Sequence, residues 1–227
     1  MISDGDKMKN TGVFGITGGI ATGKTYACKL FQWFATEQGL KFHHISIDVL
    51  RRFLLGKSTD KHHKMIRKEL AKRLAIRVKG RKGFIDSRDL GEKIFYEYKN
   101  MRIYRKIINR EIRKMVRDKI SKLKGIICVE WSQLLEDDLL PVVQGHVLWL
   151  YCTRKQQIER LSSSNSRLPW EQIKRRIAFQ ALSTNKMRGN INAEKVKVIS
   201  FNTTGNPPKE NYRGLFDRVL NSFGGAV

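Results

Sequence analysis

Gly18-Gly-Ile-Ala-Thr-Gly-Lys-Thr25 is the stretch from which the fold can be read. Glycines at both ends let the backbone turn its N–H groups inward around phosphate oxygens. Lys24 can then neutralise the terminal phosphates, and the Thr25 hydroxyl can ligate Mg2+. The flanks agree with this reading. Val13-Phe14-Gly15-Ile16 is an apolar run suited to a buried strand, and Ala27, Leu30, Phe31 and Phe34 follow at helical spacing. A helix starting directly after the loop adds free N–H groups and partial positive charge. Gly18, Gly19, Ile20, Ala21, Thr22, Gly23, Lys24 and Thr25 are therefore the expected phosphate-binding residues, and a nucleoside triphosphate with Mg2+ is the expected ligand.

Working outward, strand-like runs occur at Val13 to Thr17, Phe42 to Ile47, Gly125 to Glu130, Val147 to Cys152 and Val196 to Phe201. Helix-like sequence separates each from the next. Such alternation predicts an α/β fold with a parallel sheet covered on both faces, its ligand at the carboxyl ends of the strands. The core is expected to comprise 11–50 and 125–227. Between them, 51–124 is too long for one crossover and reads as a helical insertion, with Ile103, Ile107, Ile108, Ile112, Met115, Val116 and Ile120 on one helical face. A second helical pair, Arg154 to Leu161 and Trp170 to Leu182, is joined by a serine-rich connection and predicts a lid over 154–182.

A chain of 227 residues, 41% of them apolar, can bury one good core. Its three cysteines, Cys28, Cys128 and Cys152, lack the paired spacing of a zinc or disulfide framework and read as reduced core residues. No signal-like apolar segment opens the chain, and no eighteen apolar residues run together, so a soluble cytoplasmic protein without a membrane span is expected. The charge is unusual: 45 Lys+Arg against 21 Asp+Glu give +24. Between Arg51 and Lys124, 26 basic residues face 8 acidic ones, so three quarters of the excess is local. That region is either a solvated helical surface or a docking face for nucleic acid or another polyanion. Its aromatic residues, Phe53, Phe84, Phe95, Tyr96, Tyr98 and Tyr104, fit core packing better than base stacking because of their helical spacing.

Chemistry beyond binding needs further residues. Asp48, read as ending the second strand at the level of the phosphates, could deprotonate an acceptor hydroxyl, with Arg52 holding substrate or phosphate. Glu130 ends the third strand and could hold Mg2+ through water. Each of these carboxylates has a plainer use as a helix cap or ion-pair partner. Arg160, Arg167, Arg175 and Arg176 lie on the lid pair, where a closing arginine could stabilise charge on a transferring phosphoryl group.

Gly15 to Thr25, Ile47-Asp48 with Arg52, Gly83-Phe-Ile-Asp86 followed by Leu90 and Phe95, Leu134-Leu135-Glu136, Gln157, Arg160 and Gln180 come in the order and spacing of the landmarks of dephospho-CoA kinases, which this chain resembles over most of its length. The resemblance implies a five-stranded parallel P-loop kinase core with a helical substrate-binding insertion and a helical lid. It implies transfer of the ATP γ-phosphoryl group to the ribose 3′-hydroxyl of dephospho-CoA. Asp48 would be the base, Asn202 would lie near adenine, and Arg52, Asp86, Glu130 and Glu136 would serve the acceptor side. Lys24, Arg160 and Arg167 would act on the phosphates. The chain departs from the family in having Ser46-Ile47-Asp48 for an Asp-Ala-Asp and Asn109-Arg110 for a His-Pro pair. Two other readings stay open: a kinase for a nucleoside, nucleotide or nucleic-acid hydroxyl, and an RNA- or ribosome-associated nucleotide-binding protein.

Overall fold

Residues 12–163, 169–178 and 196–223 are described by the computed structural model. Five parallel strands, β1 (Gly12–Thr17), β2 (Phe42–Ser46), β5 (Ile126–Glu130), β6 (His146–Tyr151) and β7 (Lys197–Asn202), form one sheet in the order β2-β5-β1-β6-β7. A two-stranded antiparallel hairpin, β3 (Val78–Lys79) and β4 (Phe84–Ile85), stands apart.

Strand alternation builds two cores. Phe14 and Ile16 on β1, Ile126 and Cys128 on β5, and Leu148 and Leu150 on β6 point to the face covered by α1 (Lys24–Glu37) and α7 (Lys209–Phe223). Val13, Ile127, Val129 and Val147 point to the other face, toward α2 (Ile47–Gly56) and α5 (Tyr98–Ile120). Near-continuous apolar strands are what a sheet buried on both sides requires. Each fully buried Phe or Ile stabilises the fold by about 1.5–3 kcal/mol.

The insertion after β2 contains α2, α3 (Lys61–Leu74), the hairpin, α4 (Ser87–Tyr96) and α5. The hairpin was not legible as strands, its two short arms being only two residues each. Arg67 organises it from within. Its side chain is wholly buried and donates to the carbonyls of Leu54, Lys82 and Gly83, with Phe84 beneath the guanidinium.

One boundary corrects the sequence reading. β2 stops at Ser46, and Ile47 already belongs to α2, so Asp48 sits in the first turn of a helix rather than at the end of a strand. Ile47 is apolar because it is buried under the sheet edge, not because it continues the strand. Of the expected lid, α6 (Arg154–Ser163) and the helical residues 170–178 are described; Arg167 and Gln180 lie outside the described residues.

Candidate active site

The phosphate loop turns between the C-terminal end of β1 and the start of α1. Gly18 adopts φ 144°, and a Cβ there would lie 2.1 Å from the Leu150 carbonyl oxygen, so only glycine lets β1 exit past β6. Gly23, at φ 85°, brings the chain into α1. Lys24 curls back, its Nζ donating to the carbonyls of Gly18 and Gly19 at 2.9 and 2.8 Å. Burial pulls its pKa down, while the facing carboxylates of Glu130 and Asp48 oppose that shift. The first amides of α1 have no intrahelical acceptor and are available to an anion.

Parallel register decides what stands beside the loop. β1 pairs with β5 so that Ile16 lies opposite Glu130, and Thr25 Oγ1 donates to Glu130 Oε1 at 2.6 Å. The other carboxylate oxygen meets His44 Nε2 at 2.8 Å. His44 comes from β2, where it lies opposite Cys128, and Cys28 of α1 approaches Cys128 with 3.7 Å between sulfurs. Burial opposes charge on His44, but bonds to Cys28 and Glu130 prevail and raise its pKa to about 10. Cys28 is brought down to about 7, again against burial, by its bonds to Cys128 and His44. A convergent hydroxyl and carboxylate next to a lysine and a helix N-terminus fit a magnesium-bound triphosphate, with Thr25 and Glu130 as the residues able to hold the metal.

A cavity of about 530 Å³ opens in front of the loop. Lys24, Thr25, Asp48, Arg52 and Glu130 all line it, which brings together residues from β1–α1, α2 and β5. Its far wall holds a residue that sequence reading missed. Arg51 lies between the rings of Tyr104 and Trp131, 4.5 and 4.6 Å from their centroids, and its Nε donates to the Tyr104 hydroxyl. Trp131 is itself fixed by an Nε1 bond to Asp137 at 2.7 Å, and Asp137 also accepts from Asn109.

Among the lid arginines within the described residues, Arg176 lines the cavity. Its guanidinium lies over Phe95 at 4.8 Å, and its Nε is buried without a hydrogen-bond partner. Burial lowers its pKa, and Asp48 opposes this. Arg175 lies over Tyr96 instead and does not line the cavity.

Other expected site residues are placed differently. Arg160 is a strut. Its guanidinium donates to the Ala21 carbonyl, to Thr203 and to Asn206, joining the phosphate loop to the turn after β7. Gln157 adds a bond to the Ile20 carbonyl at 2.9 Å. Asp86 does not line the cavity, because its carboxylate caps α4 through the Arg88 and Asp89 amides and pairs with Lys79 at 2.8 Å. Its neighbours Ser87 and Arg88 reach the cavity wall in its place. Glu136, in the turns after β5, is half-buried and likewise absent from the lining. Asn202 ends β7, exposed, with Oδ1 accepting from the Thr204 amide.

The dephospho-CoA kinase (CoaE) family profile matches residues 12–195. The chain belongs to the dephospho-CoA kinase family. It is thus a P-loop kinase, a phosphotransferase with a hydroxyl acceptor that uses a nucleotide. Among solved structures, TT1252 from Thermus thermophilus superposes with a TM-score of 0.68 at 18% identity, covering 96% of this chain and 100% of its own. That likeness bears on the fold alone. A shikimate kinase from Bacteroides thetaiotaomicron matches at 12% identity and TM-score 0.46, covering 92% of this chain and 96% of its own. In this dephospho-CoA kinase family member, no helix among the described residues is long and apolar enough to cross a membrane.

Proposed function

We propose that this chain transfers the γ-phosphoryl group of ATP to the 3′-hydroxyl of dephospho-CoA. The observation that carries the reading is the single cavity lined by Lys24, Thr25 and Glu130 on one side and by Asp48, Arg52 and Arg176 on the other. Lys24 neutralises the terminal phosphates, and Thr25 and Glu130 are the residues that would hold Mg2+. When bound, that ion supplies charge neutralisation on the transferring group. Asp48 accepts the proton of the acceptor hydroxyl, and Arg52 holds an anionic part of the acceptor. Arg176, facing Asp48 from the lid, stabilises charge that develops in transfer. The cavity walls between 51 and 124 form the substrate-binding unit, and α6 with the helical residues 170–178 closes over the phosphates.

A coupled assay of ADP release tests the reading, with dephospho-CoA set against nucleosides, nucleotides and short RNA. Stimulation by dephospho-CoA alone is the expected result; none with it would reject that acceptor. A different hydroxyl acceptor is the second reading. Its support is specific: Asp86 and Glu136 lie off the cavity, while Arg51, Tyr104 and Trp131 build a wall that the family landmarks do not describe.

A further inference from the structure

We infer a second cation site, for Zn2+ or a similar borderline-soft ion, at Cys28, His44 and Glu130, on the side of the Glu130 carboxylate turned toward His44. Register brings the three together. On β2 and β5, His44 lies opposite Cys128 and Ser46 opposite Glu130, which aligns alternate side chains of both strands beneath α1. From α1, Cys28 reaches down one turn beyond Lys24. One ligand atom from each of Cys28, His44 and Glu130 lies within 4.8 Å of the others. Bound zinc holds sulfur at about 2.3 Å and nitrogen or oxygen at about 2.0–2.2 Å, so its ligands need draw together only slightly.

The donor set selects the ion. Thiolate, imidazole and carboxylate suit zinc or cobalt, whereas magnesium favours oxygen and water and has no use for the sulfur. Three protein ligands leave a fourth position for water, as in zinc sites that stay open. Access is through the cavity, which Glu130 lines, and the His44 side chain is 22% exposed. In the metal-free protein, the His44–Glu130 contact occupies this place. An arriving ion takes both side chains as ligands, along with the Cys28 thiolate, and releases their ring and thiol protons to solvent. Because Glu130 also meets Thr25, an ion here draws the carboxylate away from the triphosphate site. Zinc should therefore inhibit phosphoryl transfer.

Cobalt titrated into the full-length protein, with excess Mg2+ present, tests the assignment. A thiolate-to-cobalt charge-transfer band saturating at a single equivalent is expected. Cys28→Ala should abolish the band and Cys128→Ala should keep it, both with circular dichroism unchanged. His44→Gln should weaken cobalt binding at least ~10-fold, the scale of metal-site perturbations, and it carries the test should Cys28→Ala not fold. No band, or a band that survives Cys28→Ala, overturns the site. Zinc inhibition of ATP turnover should weaken at least ~10-fold in Cys28→Ala; unchanged inhibition overturns the link to the triphosphate site. The cobalt spectrum needs neither ATP nor acceptor, so its failure and that of the proposed reaction are separable.

Discussion

Thr25 Oγ1 donates to Glu130 Oε1 at 2.6 Å across 105 residues of sequence, joining the first turn of α1 to the end of β5. In the proposed reaction these two groups would hold the metal that accompanies the triphosphate. Glu130→Gln retains an acceptor oxygen for Thr25 and removes the charge. Turnover should fall at least ~100-fold, the scale of losing one preorganised electrostatic group, with a raised Mg2+ requirement. Initial rates over a Mg2+ series check both.

Asp48→Asn separates binding from chemistry. ATP affinity should change little, whereas turnover should fall by about 10²–10⁴-fold, the range for loss of a general base. Full turnover in this variant would remove Asp48 from the base role. Arg176→Ala should likewise lower turnover more than ATP affinity, because its guanidinium faces Asp48 across the cavity.

Arg160 gives the opposite signature. As a strut between the phosphate loop and Thr203, it should cost about 1.5–3 kcal/mol when replaced by alanine. The melting temperature should drop and KM for ATP should rise, with a smaller change in kcat. Arg160→Lys should not rescue, since one ammonium cannot span Ala21, Thr203 and Asn206 at once. A large loss of kcat at unchanged melting temperature would return Arg160 to a role in transfer.

Stability of the metal-free protein should respond to alkali in a defined window. His44 has a folded pKa of about 10 against an ordinary 6.5, so its contribution is present below 6.5 and is lost as pH rises through 10. Cys28 runs the other way, about 7 folded against 9.0, so its contribution grows between those values. Across pH 7 to 9 folded and unfolded chains bind equal numbers of these protons and the two slopes cancel. Above 9 the gain from Cys28 is complete, while His44 still loses and burial and the Cys28 bond hold the Cys128 thiol protonated well above its ordinary 9.0, so stability should fall toward pH 10. Urea denaturation at pH 8 and pH 10 measures this, and His44→Gln should make the difference smaller.

Arg67→Met should destabilise the fold by about 3 kcal/mol, because the buried carbonyls of Leu54 and Gly83 and the part-buried carbonyl of Lys82 lose their donor. Melting of the variant tests this directly.

What could be read from sequence followed the distance over which each signal acts. Gly18 to Thr25 was legible because its physics is local: two glycine conformations, a lysine and a helix start within eight residues. The five strands were legible to within a residue or two, because a sheet covered on both faces leaves almost continuous apolar runs. Asp48 lines the cavity from a different element than the sequence suggested, since a buried Ile47 looks the same at the end of a strand and at the start of a helix. Asp86 was read only as an acceptor-side residue, because its capping of α4 depends on a helix start that the family landmark masked. Arg51 gave no signal at all. Its meaning depends on Tyr104, 53 residues away, and on a tryptophan at the end of another strand. Arg160 stood out as an arginine near the lid, but its partners in the turn after β7 are set by tertiary structure alone.

The two cores have a consequence for how this enzyme can diverge. Backbone pairing of β1 with β5 and the α1–α7 face hold the phosphate loop, whereas α2, α4 and α5 on the opposite face shape the cavity wall that the proposed reaction assigns to the acceptor. Substitutions at Arg51, Tyr104 or Trp131 act in a layer separate from the one that supports Lys24 and Thr25. Selection can therefore retune which alcohol is phosphorylated while the donor machinery stays intact, and a laboratory library confined to that wall can do the same.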